Sequence, residues 1–200
     1  MPDPIDFYFD FSSPYGYFGS FKVENIARRF ERPVNWHPFL IGATFQETGN
    51  KPLVHQPLKG EYCANDWARL GRFMDVPWVL PDPFPIATHN AARLFYKLDG
   101  RDPGLAKKFA TAAFHAYFGE GRDITGAQAV AEVAAPLGVE ADEVHATVRD
   151  PAVKEDLKRR TAEAIRRGVI GSPYVIVDDE GFWGSDRLWM VKKWIQKGGW

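Results

Sequence analysis

The sequence predicts an α/β chain in which a small sheet-and-helix unit is interrupted by a large, all-helical insertion. Three observations carry this. Ile5, Phe7, Phe9 and Phe11 alternate with Asp6, Tyr8 and Asp10, the period of a half-buried strand. A long middle section then runs on helical periodicity, with no strand pattern between its helices. Strand character returns only at Val175-Ile176-Val177, close to the C-terminus.

The elements follow in order. Pro14 stands where the first turn of a helix has no use for an N–H, so a helix begins there. Gly16, Gly19, Ser20, Val23, Ala27 and Phe30 share one face of it, and the small residues let it approach a sheet closely. Pro33 ends this unit, and Val34 to Phe39 reads as a second strand, parallel to the first, giving a β-α-β opening. Residues 42–60, rich in Gly, Pro and Lys, read as a loop. Five helices follow. The first spans Tyr62 to Met74. The second follows Pro77, Pro81, Pro83 and Pro85 and carries Ala87, Ala91, Leu94, Phe95 and Leu98 on one face. The third carries Leu105, Phe109, Ala112 and Ala116. Thr125-x-x-Gln128 reads as a capping box for the fourth, which stops near Gly138. Asp150-Pro151 starts the fifth, which closes at Gly168 and buries Val153, Leu157, Thr161, Ala164 and Ile165. Beyond it come a strand at Val175–Val177, a turn over Asp178 to Gly181, a partner strand at Phe182-Trp183, and a final helix capped by Ser185 or Asp186. The expected organisation is therefore one unit from 1–40 plus 169–200, with 41–168 as the helical insertion and its connecting loop.

Bulk properties exclude several classes. The chain has 200 residues and is 45% hydrophobic, enough for a substantial core. Its 25 Lys and Arg balance 26 Asp and Glu, so nothing in the net charge attracts nucleic acid or an anionic membrane. Cys63 is the only cysteine, which rules out an internal disulfide and a cysteine-rich zinc site. The five histidines (His37, His55, His89, His115, His145) have no metal-ligand spacing; His37, at a strand end, is placed to line a site but reads more simply as structural. The first strand leaves no room for an export signal ahead of it, and no apolar run reaches the length of a membrane helix, so the expected compartment is the cytoplasm.

The sharpest chemical signal is Ser13-Pro14-Tyr15-Gly16 at the strand-to-helix turn. A thioredoxin-type fold places Cys-x-x-Cys there; here both ends lack sulfur. Orphan N–H groups and the helix dipole favour an anion at such a terminus, and a hydroxyl can donate to a thiolate brought from outside. Ser13 also reads as an ordinary N-cap. Gly171-Ser172-Pro173-Tyr174 matches the proline that precedes a late strand in the same fold. A cis bond there would expose the Ser172 backbone to an extended ligand; a trans proline in a tight turn is the alternative. Gly184-Ser185-Asp186-Arg187 is a second candidate terminus, with donors for a carboxylate and Asp186 for an ammonium, or a plain cap beside a surface Arg. In the long loop Asn50 offers a donor and an acceptor, and Lys59 a positive charge. With sulfur absent from both motif positions, no dithiol exchange of the thioredoxin type is expected.

Taken together, Phe-Asp-Phe-Ser-Ser-Pro-Tyr, Gly-Asn-Lys-Pro, Lys-Gly-x-Tyr-x-x-x-Asp, the Gly-x-Pro-like turn and Gly-Ser-Asp-Arg resemble the 2-hydroxychromene-2-carboxylate isomerases and the related kappa-class glutathione transferases. Both belong to the DsbA-like branch of the thioredoxin superfamily, and the resemblance covers essentially the whole chain. It implies a thioredoxin-like fold, glutathione as cofactor, a homodimer and a small aromatic substrate. Ser13 then matches the catalytic serine that holds the glutathione thiolate. Asn50 and Lys59 match loop residues that contact glutathione. Ser172 and Pro173 match the cis-proline pair whose backbone meets the cysteinyl unit. Ser185 and Asp186 match the residues at the γ-glutamyl end, and Asp66 an acidic residue near the dimeric glutathione site. At Ser172 the family pattern leads one to expect an apolar residue. The implied reaction of aromatic catabolism is isomerisation through a transient thiol adduct. A kappa-like transferase or peroxidase, and a non-catalytic thioredoxin-like binding scaffold, are the competing readings.

Overall fold

A computed structural model describes residues 3–200. Four strands form one sheet in the order β2-β1-β3-β4: β1 (Ile5–Phe9), β2 (Val34–Pro38), β3 (Tyr174–Val177) and β4 (Glu180–Trp183). β1 and β2 are parallel, joined by the crossover helix α1 (Pro14–Arg29), while β1–β3 and β3–β4 are antiparallel. The thioredoxin-like α/β fold with helices inserted between β2 and β3 is the architecture expected. The tight turn between β3 and β4 places Asp178 and Asp179 at positive φ, as a two-residue hairpin with matched twist requires. Asp178 also accepts from the buried Arg32 at 2.7 and 3.1 Å, tying the hairpin to the segment ahead of β2.

The alternation in β1 sorts the sheet's two faces. Phe7 and Phe9 point into the main core and stack at 5.4 Å; Trp36, Phe95 and Phe114 meet Phe9 edge-on or tilted. Fully burying each such ring contributes about 1.5–3 kcal/mol, so this aromatic layer fixes the register of β1. The same cluster runs on into the inserted helices through Phe109, Tyr117 and Phe118, so sheet and insertion share one core. Tyr8 and Ile176 face the other way, against Phe39, Ala164 and Val169.

The insertion holds α2 (Ile41–Thr48), α3 (Lys59–Met74), α4 (His89–Asp99), α5 (Pro103–Phe114), α6 (Ala127–Ala134), α7 (Ala141–Arg149) and α8 (Pro151–Arg166). Two helices were not expected. α2 occupies part of the supposed loop; only Thr44 in it is buried, so it shows no apolar stripe. α7 is short and charged at its start. Thr125 does not cap α6: Gly126 holds that position with no side-chain bond, and Gln128 donates to Glu132 instead. Asp150 does cap α8, accepting from the Ala152 N–H. The last helix, α9 (Leu188–Lys197), is preceded by a 3₁₀ turn over Ser185–Arg187, and neither Ser185 nor Asp186 makes a side-chain cap for it.

On the Tyr8 face, Asp6 accepts from His37 at 3.0 Å and from Arg167 at 2.8 Å. Burial opposes its charge, but the bonds from His37, Arg167 and Asn35 win and hold the carboxyl down to about 2. A carboxylate held below its unfolded value stabilises the fold above that value and loses the contribution as pH falls. Denaturant midpoints should therefore drop between pH 3.8 and about 2, and Asp6→Asn should flatten that decline. An identical acid profile in the variant would show that the ion pair carries no net stability.

Candidate active site

Ser13 ends the β1–α1 connection as the N-cap of α1, in extended conformation, with Pro14 at the first helical position. Its Oγ accepts from the Gly16 N–H at 3.0 Å and donates to the Ser172 carbonyl at 2.9 Å. The Ser172–Pro173 bond is cis. The two motifs, 159 residues apart, thus meet in direct hydrogen-bond contact, with both serines buried. The first turn of α1 contains no acidic residue, so its N-terminal dipole is not already neutralised from within the helix.

The glycines explain how close this approach is. A Cβ on Gly16 would lie 2.9 Å from Ser172 Oγ, and one on Gly19 would lie 3.0 Å from Pro173 Cγ. The small face predicted for α1 is thus the surface on which the Ser172–Pro173 loop rests. The Ser172 backbone N–H has no partner among the described residues.

Asp10 organises the surroundings, and the sequence reading gave it no role beyond the strand alternation. It is 4% exposed. Its carboxylate accepts from the Ser12 N–H (2.8 Å), the Thr88 hydroxyl (2.8 Å) and the Ile41 N–H (2.9 Å). Its own N–H donates to Ser172 Oγ at 2.9 Å, and its carbonyl accepts from the Ser13 N–H at 3.0 Å. One residue therefore ties the end of β1, the starts of α2 and α4, and the cis-proline loop around Ser13. Burial without a cation partner pushes its carboxyl up. Nothing in the local pattern signals this, because the three donors come from segments distant in sequence.

The other expected residues lie in two groups. Ser185, buried, and Asp186, exposed and paired with Arg187, sit on the 3₁₀ turn that packs against α1. There they meet Lys22, which sequence reading did not single out; burial lowers its pKa, and Asp186 opposes that. Asn50 and Lys59 are exposed, after α2 and at the start of α3, and make no hydrogen bond with Ser13. α3 nonetheless reaches the α1 terminus about two turns further on. Tyr15 donates to Asp66 at 2.9 Å, and Cys63 lies beside them. Burial pushes the Cys63 thiol up and keeps it protonated. Among the described residues no His, Cys, Asp and Glu cluster could hold a metal ion. Clefts of about 340 and 400 Å³ lie elsewhere, the larger lined by Trp183, Arg187, Trp194 and Trp200 beside the Ser185–Arg187 turn.

The DsbA-like thioredoxin domain model matches residues 4–196. The chain belongs to that family. Within it, the chain is 32% identical over 197 residues to 2-hydroxychromene-2-carboxylate isomerase from Sphingobium xenophagum, covering 98% of this chain and 99% of that protein. It is 28% identical to glutathione S-transferase kappa 2 from Caenorhabditis elegans, covering 96% and 91%. The solved structure of a selenomethionine 2-hydroxychromene-2-carboxylate isomerase superposes with a TM-score of 0.87 at 25% identity, covering 96% of this chain and 94% of that one. This DsbA-like domain carries Ser13 and Gly16 at the two ends of its helix-terminal motif, so it holds no thiol there. The groups present suit an incoming thiolate: a hydroxyl at a helix N-terminus, a glycine at position 16 that brings no side chain against the two serines, and an unpaired backbone N–H at Ser172.

Proposed function

We propose that this chain is a glutathione-dependent isomerase of aromatic catabolism, interconverting 2-hydroxychromene-2-carboxylate and trans-o-hydroxybenzylidenepyruvate. The observation that carries this is the convergence of Ser13 and Ser172 at the N-terminus of α1. It occurs in a chain that matches a 2-hydroxychromene-2-carboxylate isomerase along nearly its whole length.

Glutathione, when bound, supplies the thiolate that adds to the substrate's unsaturated carbon and leaves again once the single bond has turned. The protein's residues hold and orient. The α1 terminus stabilises negative charge, and the Ser13 hydroxyl, which donates to the Ser172 carbonyl in the ligand-free site, turns to donate to the sulfur. The Ser172 N–H pairs with the cysteinyl backbone, and Pro173 keeps the loop against Gly19. Ser185 and Asp186 take the γ-glutamyl end, while Asn50 and Lys59 approach from the loop side. A stabilised thiolate is also the better leaving group, so one site serves addition and expulsion.

Two further features belong to this reading. Leu58, Tyr62 and Phe73 are 89%, 61% and 82% exposed at and along α3, which fits a homodimer that covers them. No described helix is long and apolar enough to cross a membrane, and a cytoplasmic enzyme fits that.

The test is ultraviolet difference absorbance on adding glutathione near neutral pH, where a thiolate band should appear. Its absence would leave only a binding scaffold. The similarity to a kappa-class transferase supports a second reading. Stoichiometric thiol loss to a chlorodinitrobenzene-type electrophile, with the chromene untouched, would favour it.

A further inference from the structure

Ser172 stands where the family pattern leads one to expect an apolar residue, and its side chain is not idle. The Oγ accepts from the Asp10 N–H at 2.9 Å, yet its own proton has no acceptor among the described residues. The hydroxyl is buried within the residue's 7% exposure, so bulk water does not readily take that role. It also points to the same place as Ser13. The position a Cβ on Gly16 would occupy is 2.9 Å from Ser172 Oγ and 3.3 Å from Ser13 Oγ. Two hydroxyls therefore converge beside one glycine at the head of a helix. Ser13 Oγ donates to a carbonyl, and Ser172 Oγ keeps a proton in reserve.

We infer that Ser172 is a second hydroxyl donor to the glutathione thiolate, acting through its side chain. This inference rests on the glutathione reading above. The bond from Asp10 uses the oxygen as an acceptor and leaves the O–H free to turn to an incoming acceptor. The Asp10 carboxylate accepts from Ser12, Ile41 and Thr88 and makes no bond with that proton. A sulfur at the head of α1 within reach of both hydroxyls receives the Ser172 O–H and, once Ser13 releases the Ser172 carbonyl, the Ser13 O–H as well, where charge-assisted bonds are strong. The consequence is a more acidic bound thiol than Ser13 alone would give. Holding more of the bound cofactor as thiolate suits a reaction in which that thiolate must also leave.

The experiment titrates the thiolate absorbance of bound glutathione in the wild type, Ser13→Ala, Ser172→Ala and the double variant. S-methylglutathione, which has no thiol proton, serves as the control ligand. Ser172→Ala should lower the thiolate-to-thiol ratio about tenfold, as expected for one lost charge-assisted bond. Its affinity for S-methylglutathione should stay unchanged, and the double variant should fall below either single one. An unchanged thiol pKa in Ser172→Ala would overturn the inference. So would an equal loss of S-methylglutathione binding, because Ser172 would then only shape the loop. If Ser172→Ala does not fold, Ser172→Val decides: it fills the same position with an apolar side chain that has no donor, so the thiol pKa should rise in the same way, and an unchanged pKa would overturn the inference. A wild type that binds neither ligand would instead remove the glutathione reading itself.

Discussion

Replacing Ser13 with alanine should cut glutathione-dependent turnover roughly 10- to 100-fold while leaving the fold intact, since one charge-assisted hydrogen bond contributes about 1.5–3 kcal/mol. The structure places the hydroxyl at the helix terminus with no second role beyond capping Gly16 and bridging to Ser172. Loss of the cap costs about 1 kcal/mol of stability and the unpaired Ser172 carbonyl about 1 kcal/mol more, which a domain of this size can bear. The chemical effect should therefore exceed the structural one. Parallel measurement of thermal unfolding and turnover separates them. A variant that melts like the wild type and keeps full turnover would remove Ser13 from the chemistry.

Asp10→Ala should do the opposite, with a large loss of stability and activity failing as a consequence. Truncation strands two part-buried backbone donors, on Ser12 and Ile41, and the buried Thr88 hydroxyl. Each buried orphan costs about 1–3 kcal/mol, so a loss on the order of 3 kcal/mol or more is expected. Asp10→Asn should recover part of this. Its single oxygen can serve one side of the network, but its amide faces another donor. Denaturant unfolding of the three proteins should rank wild type above Asn above Ala. Equal stability of Asp10→Ala and wild type would mean that these bonds do not hold the site together.

The contrast between the two residues shows what the sequence could and could not reveal. Ser13 and Ser172-Pro173 were legible because each sits at a junction with a strong local signature: serine before proline at a helix start, and proline before a strand. The strand alternation in β1 and the cap at Asp150 were equally local. Asp10 was not legible, because its charge is satisfied by groups at positions 12, 41 and 88, and no spacing encodes that meeting. α2 and α7 escaped for a related reason. They are short, and their apolar residues do not mark a face long enough to register as periodicity. The supposed capping box at Thr125 fitted the pattern of residue types, but the backbone began the helix one residue later. Lys22 carried no signal in the sequence, because the 3₁₀ turn bearing Asp186 beside it lies far along the chain.

The central claim is that this DsbA-like domain borrows its reactive sulfur and returns it. The most direct test is to incubate the enzyme with 2-hydroxychromene-2-carboxylate and substoichiometric glutathione, following product absorbance and free thiol together. The account predicts many equivalents of the ring-opened benzylidenepyruvate per glutathione, with free thiol constant throughout and no product when glutathione is omitted. Product capped at one equivalent per thiol, or formed at the same rate without glutathione, would contradict it.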